Sequence, residues 1–263
     1  MDRPPTNQPG MEDMNAQGTF ASGILLAAGL ALPVAGQAED FRFQAQALYD
    51  NIDFDDLDDD ADSLTGIGTF FFKPVPTEGV PVGEAAYIAR SSYVDVRAQG
   101  VEIGDNDADV LAANLGYHFT DTALSILFAR IGVVQTDISG DDDTTWNGTL
   151  GIVPIPRLFF GTDFTEDDWN PNVTARYAGE LANSHWYAAS VTVADPDEGD
   201  TDVGVEFDYY FPAFKLGGGF SSNTDLWSVR AEMGLPQGFA LQGRVFGNDD
   251  SEGFGLQLTW RDL

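Results

Sequence analysis

From Phe41 onward, apolar and polar residues alternate with a period of two, the spacing that puts successive side chains on opposite faces of a β-strand. Phe41, Phe43, Ala45, Ala47 and Tyr49 share one face, and Arg42, Gln44, Gln46 and Asp50 share the other. Near the other end of the chain, Phe254, Leu256, Leu258 and Trp260 oppose Gly255, Gln257 and Thr259. The same division recurs over 111–119, 203–211 and 227–233, so the pattern predicts strands along the whole of 39–263. After the first forty residues no apolar run reaches the length of about 18 residues that a membrane helix needs. That removes a helical membrane bundle but not a membrane barrel, whose strands hide half their residues from a hydropathy scan.

A soluble β-sandwich alternates too, and two further patterns select the barrel. Aromatic residues stand at the ends of the apolar faces (Phe41, Tyr49, Phe119, Trp146, Phe164, Trp186, Phe211, Trp227 and Trp260), as where rings settle at two lipid–water interfaces. The connections also alternate in kind. The segments 55–62, 102–109, 137–143, 163–168, 195–202, 221–225 and 248–252 hold 27 of the 43 acidic residues and no base. Between them lie mostly short connections at 120–122, 154–156, 182–184, 212 and 236–238, with a longer one at 73–83. Long loops at one end and tight turns at the other predict an all-β fold, a single antiparallel transmembrane β-barrel with acidic extracellular loops and periplasmic turns. Seven loops and six turns make about fourteen strands with both termini on the turn side; twelve and sixteen are the alternatives.

Composition narrows the function. The 263 residues carry a formal net charge of −31 and no cysteine. A nucleic-acid partner needs a basic face and is excluded, as are disulfide scaffolds and cysteine-ligated metals. With 43% hydrophobic and 12% aromatic residues, the chain is no solvated acidic tail. Between Asn15 and Ala38 there is no charge, and an apolar stretch ends in Gly36-Gln37-Ala38 before Glu39 and Asp40. Residues 1–38 therefore read as a signal peptide cleaved after Ala38, with the outer membrane of a Gram-negative bacterium as destination.

The segment FFFKPVPTEGVPVGEAAYIARSSYV, residues 70–94, resembles one found in the general porin family of gammaproteobacteria. Phe70 to Phe72 match the aromatic strand end, Pro74-Val75 the turn, Gly79 to Gly83 the proline-containing stretch and Glu84-Ala85-Ala86 the start of the next strand. The resemblance implies an outer-membrane channel. It also implies a terminal aromatic residue read by the barrel assembly machinery, a role for Trp260 ahead of Arg261-Asp262-Leu263.

With apolar faces toward lipid, the opposite faces line the lumen. That assigns Arg42, Arg90, Arg130, Arg157, Arg176, Arg230 and Arg244 inward, with Glu84, Glu206, Asp208 and Glu232. An arginine facing lipid at mid-membrane would cost about 2 to 4 kcal/mol. In a strand over 84–97, strict alternation turns either Arg90 or Asp95 to lipid, so a bulge is expected near Ser91-Ser92. The expected function is a porin, a passive diffusion channel for small hydrophilic solutes and ions, mildly cation-favouring through its acidic mouth. The alternative is a structural or adhesive barrel with a plugged lumen. His118 and His185 are the only histidines and no nucleophile–base motif accompanies them, so no enzyme is expected. Asp195, Asp197, Asp200 and Asp202 have calcium-like spacing without the frame of an EF-hand, which sets a calcium site against a plain solvated loop; no other cofactor is expected. Expected partners are outer-membrane lipid and lipopolysaccharide, small hydrophilic solutes and ions, and the assembly machinery. A homotrimer stays open.

Overall fold

The structure, a computed structural model, describes residues 40–54, 60–104, 106–120, 126–138, 141–166, 172–194, 201–212 and 214–263. The expected signal peptide lies outside them, as does most of the loop with calcium-like spacing.

Fourteen strands close into one barrel in which each neighbours the next in sequence and the last pairs with the first. They are β1 (Phe41–Phe54), β2 (Ala61–Val75), β3 (Tyr93–Ile103), β4 (Asn106–His118), β5 (Leu127–Ile138), β6 (Asp141–Ile155), β7 (Leu158–Thr165), β8 (Asn172–Glu180), β9 (Trp186–Ala194), β10 (Asp202–Tyr210), β11 (Phe214–Ser221), β12 (Trp227–Gly234), β13 (Phe239–Gly247) and β14 (Ser251–Arg261). The closing seam pairs β1 with β14 antiparallel, from Gln44 opposite Arg261 to Phe54 opposite Ser251. Closure leaves no edge strand with unpaired backbone groups, which hydrocarbon would not tolerate.

The two faces of the sheet are sorted inside out. Leu64, Leu111, Ile131 and Val229 are 63, 56, 61 and 56% exposed, whereas Gln44, Thr65, Gln242 and Thr259 are buried within. Only a lipid solvent makes that arrangement favourable, because the outer belt then loses no apolar contact while the polar groups between its strands' ends collect in the lumen. Rings flank the belt. Trp146 packs edge-on against Phe164 and Tyr49 lies near Phe254 on the loop side, while Phe43 meets Trp260 and Tyr187 stacks near Phe207 on the turn side.

Three local differences from strict alternation follow from identifiable causes. The connections expected at 102–109 and 137–143 are mostly strand, so Glu102, Asp107, Asp109, Asp137 and Asp142 ride on ladders that continue past the apolar belt. Strand pairing persists there because water solvates the carboxylates without breaking backbone hydrogen bonds. At the start of β1 the register shifts between Phe41 and Phe43. That bulge turns Phe41 inward to 1% exposure, where it packs edge-on against Phe71, and leaves Arg42 exposed rather than lining the lumen. The third difference, a helix where a strand was expected, belongs to the lumen.

The residues after Trp260 complete the seam. The Oδ1 atom of Asp262 accepts the backbone N–H groups of Arg42 and Phe43 at 2.9 and 2.7 Å, just beyond the point where the ladder between β1 and β14 begins at Gln44 and Arg261. Asp262→Ala should cost the barrel about 1 kcal/mol. The loss is measured as a lower temperature for conversion from the compact to the unfolded form on gels.

Candidate functional site

The site is the lumen, and its turn-side half is occupied. Between β2 and β3 the chain does not turn back directly. It enters the barrel and forms α1 (Val82–Ile88). Pro74, Pro76 and Pro81 cannot donate to a ladder, so β2 stops at Val75. Pro81 stands immediately before the helix, and Glu84-Ala85-Ala86 are good helix formers. Backbone bonds from Ala89 to Ala85 and from Ser91 to Ala86 close the helix, and Arg90, at φ 53°, ends it by turning the chain into β3. The strand expected over 84–97 is therefore a helix followed by a strand from Tyr93. The reversal at Arg90, not a bulge at Ser91-Ser92, resets the facing of the side chains.

α1 bridges opposite walls. On one side Val82 and Ala85 pack with Phe41, Phe71 and Val75 from β1 and β2. On the other, Val80, Tyr87 and Ile88 pack on Ala178, Trp186, Ala188 and Tyr210 from β8, β9 and β10. Trp186 is thus 3% exposed inside the barrel rather than at the lipid interface. Alternation itself placed it there, because Tyr187 takes the outward position.

Polar contacts hold the helix in place. The Glu84 carboxylate, wholly buried, pairs with Arg176 Nη2 at 2.5 Å and accepts the Tyr210 hydroxyl at 2.6 Å. Burial raises the Glu84 carboxyl above the ordinary carboxylate range, against the opposing pull of Arg176 and Tyr210. The Tyr87 hydroxyl donates toward the carbonyls of Arg157 and Arg176, at 2.9 and 3.0 Å, and burial pushes its phenol up so that it stays a donor. Arg176 also lies over the Tyr87 ring, 5.2 Å from its centre.

Most remaining charges in the lumen pair along the wall. Arg130 meets Asp163 at 3.2 Å, Arg230 meets Asp208 at 2.9 Å and Glu206 at 3.2 Å, Arg244 meets Asp50 at 2.6 Å, and Glu232 meets Lys215 at 2.8 Å. Two arginines assigned to strand interiors sit in connections instead. Arg157, at φ 71°, makes the turn between β6 and β7 and lies 4.4 Å from the centre of the Trp186 ring, while Arg90 ends α1. Lys215 and Arg261 belong to the buried interior without having been singled out from the sequence. Lys215 could have been found from the glycines that share its face at 217 and 219; Arg261 looked like an overhang because the strand was expected to end at Trp260.

Of the four aspartates with calcium-like spacing, only Asp202 is described. Its carboxylate accepts the Ser221 and Ser222 hydroxyls and the Asn223 backbone N–H, tying β10 to the β11–β12 loop. His118 and His185 also have local contacts: the backbone N–H of His118 donates to Ser92 Oγ, and His185 Nδ1 lies 3.0 Å from the Tyr209 hydroxyl.

A closed fourteen-stranded cylinder with an apolar exterior and a charged interior is a transmembrane β-barrel of the outer-membrane kind. No protein-family model matches the chain, and no curated protein sequence matches it. Among solved structures, the outer membrane protein Omp33 of Acinetobacter baumannii aligns with a TM-score of 0.68 at 18% identity, over 86% of this chain and 100% of that one. That likeness shows a shared barrel fold. The KdgM porin aligns at a TM-score of 0.41 and 10% identity, over 82% of this chain and 98% of its own. A triple mutant of the Rhodopseudomonas blastica porin aligns at 0.40 and 9% identity, over 83% and 99%.

Proposed function

We propose that the protein is a channel of the Gram-negative outer membrane that passes small hydrophilic solutes and ions, and that the conformation described here is its closed state. The supporting observation is the charged wall. A barrel that served only as an anchor would have no use for so many ionised side chains inside, each costly to desolvate. Fourteen strands also exceed the eight whose interior side chains just fill a barrel. Residues 70–94, with their likeness to gammaproteobacterial general porins, support the same reading, and the leader at 1–38 supplies the route of export. A structural barrel with a permanently plugged lumen is the second reading, and the packing of α1 is the observation that favours it.

In the proposed channel the inner wall contributes little net field, because its arginines and acids are matched locally. The acidic loops then dominate the mouth and concentrate cations within about one Debye length, ~8 Å at physiological salt. Planar-bilayer currents should show a modest cation preference that declines as salt rises. A strong anion preference at low salt would contradict the charge assignment. Absence of both current and solute flux, even with α1 released, would leave the plugged barrel.

A further inference from the structure

One row of the lumen wall has a symmetry that the pairing of single residues does not show. Asp50, Gly255, Arg244, Arg230, Gly217 and Asp208 occupy directly opposed positions on six successive strands, β1, β14, β13, β12, β11 and β10. The two arginines stand side by side in the middle, where like charges directly opposed repel. Each guanidinium turns away from the other, crosses a glycine and reaches an aspartate two strands off.

Both contacts are two-pronged. Arg244 places Nε 3.0 Å and Nη2 2.6 Å from the two Asp50 oxygens, and Arg230 places Nε and Nη2 each 2.9 Å from those of Asp208. The glycines are what permit the crossing. A Cβ at 217 would lie 1.9 Å from an Asp208 oxygen, and one at 255 would lie 2.1 Å from an Asp50 oxygen. Glu206 adds a third carboxylate on Arg230, at 3.2 Å. Arg244 is the more open of the two arginines, its side chain 38% exposed against 12% for Arg230, and it lies 5.0 Å from the centre of the Phe246 ring.

We propose that this row sets the ion selectivity of the lumen. Asp50 and Asp208 act as built-in counter-charges that keep two adjacent arginines folded against the wall. With them in place, the row presents a passing ion with nearly balanced charge. Without them, it presents a pair of guanidiniums able to take up a carboxylate or phosphate group. The inference rests on the channel reading of the preceding section. It goes beyond that reading by assigning to these residues the local charge balance of the interior that leaves the acidic mouth in control.

The test compares reversal potentials across planar bilayers under a potassium chloride gradient for the full chain and two double variants. Asp50→Asn with Asp208→Asn keeps the shape of the wall and removes only the counter-charges. It should lower the cation-to-anion permeability ratio by about threefold or more, since Arg244 then lies without a counter-charge and Arg230 keeps only Glu206, both within a Debye length of the ion. Gly217→Ala with Gly255→Ala leaves formal charge unchanged but fills the crossings. It should shift the ratio in the same direction by a smaller factor, because a freed arginine reaches farther into the lumen than a freed aspartate. Compact migration on unheated gels verifies folding. Currents with unchanged reversal potentials in both variants would overturn the proposal and leave the channel reading intact. No current from any of the folded proteins, even with Glu84→Ala added to each to release α1, would remove the channel reading, and this one with it.

Discussion

Glu84→Ala should release α1 from the lumen and produce the largest functional change of any single substitution in this protein. The Glu84 carboxylate is wholly buried and is shared between Arg176 and Tyr210. Its removal leaves a largely buried guanidinium without its partner, which typically costs about 3 to 5 kcal/mol. The released helix would carry its alanine into water and pay no such penalty, so the whole cost falls on the docked state. At 1.4 kcal/mol per tenfold change, the balance between docked and released helix should shift by roughly a hundredfold or more. Glu84→Gln, which can still accept from Tyr210, should shift it less.

Two measurements check this independently. Open-channel events in planar bilayers should become far more frequent in Glu84→Ala. The chain has no cysteine, so Ala85→Cys introduces a unique thiol at a position that is wholly buried while α1 is docked. That thiol should resist a maleimide reagent in the otherwise native barrel and react readily when combined with Glu84→Ala. Equal, slow labelling in both backgrounds would show that α1 is a fixed part of the wall. Rapid labelling without current would separate movement of the helix from conduction.

Lys215→Met should give the largest loss of stability. Lys215 and Glu232 are 0 and 1% exposed in their side chains and lie 2.8 Å apart, with Lys215 Nζ also donating to Gln242 at 2.8 Å. The single substitution strands the Glu232 carboxylate in the packed turn-side half of the lumen. Breaking a buried pair in this way costs about 3 to 5 kcal/mol. The lower end is expected, because the buried guanidinium of Arg261 still attracts Glu232 and has Nε and Nη2 without hydrogen-bond partners. Lys215→Met combined with Glu232→Leu removes both charges and should recover most of the loss, since apolar replacements of buried pairs are often neutral or better. Urea unfolding followed by gel migration measures both variants. A double variant no more stable than the single one would mean that Gln242, left without its donor, and not the stranded charge, dominates the cost.

These expectations draw on different layers of information. The barrel was legible because hydrophobic alternation is a local property that each strand carries independently: Leu111 against Asn114, or Val205 against Glu206, declares its face without reference to the rest of the chain. The strand number followed from the alternation of acidic and short connections. What misled was also local. Phe41 carries the outward parity of its strand, and only the bulge beside it reverses that parity. Residues 84–97 contain enough alternation to read as strand, and α1 forms there because the prolines upstream halt the ladder and a socket of Trp186 and Tyr210 lies on the far wall to receive it.

By itself, then, the chain determined a closed, inside-out β-barrel with a polarised distribution of acids, since period-two patterning and loop composition act over a few residues at a time. Only the tertiary structure decided what the interior does with its charges. That Arg176 is spent on a helix crossing the lumen, or that Asp50 and Arg244 meet over Gly255, depends on register around a closed ring that joins residues nearly two hundred positions apart in sequence. Closure brings such positions together, and no short-range pattern can record a contact that exists only once the ring is complete.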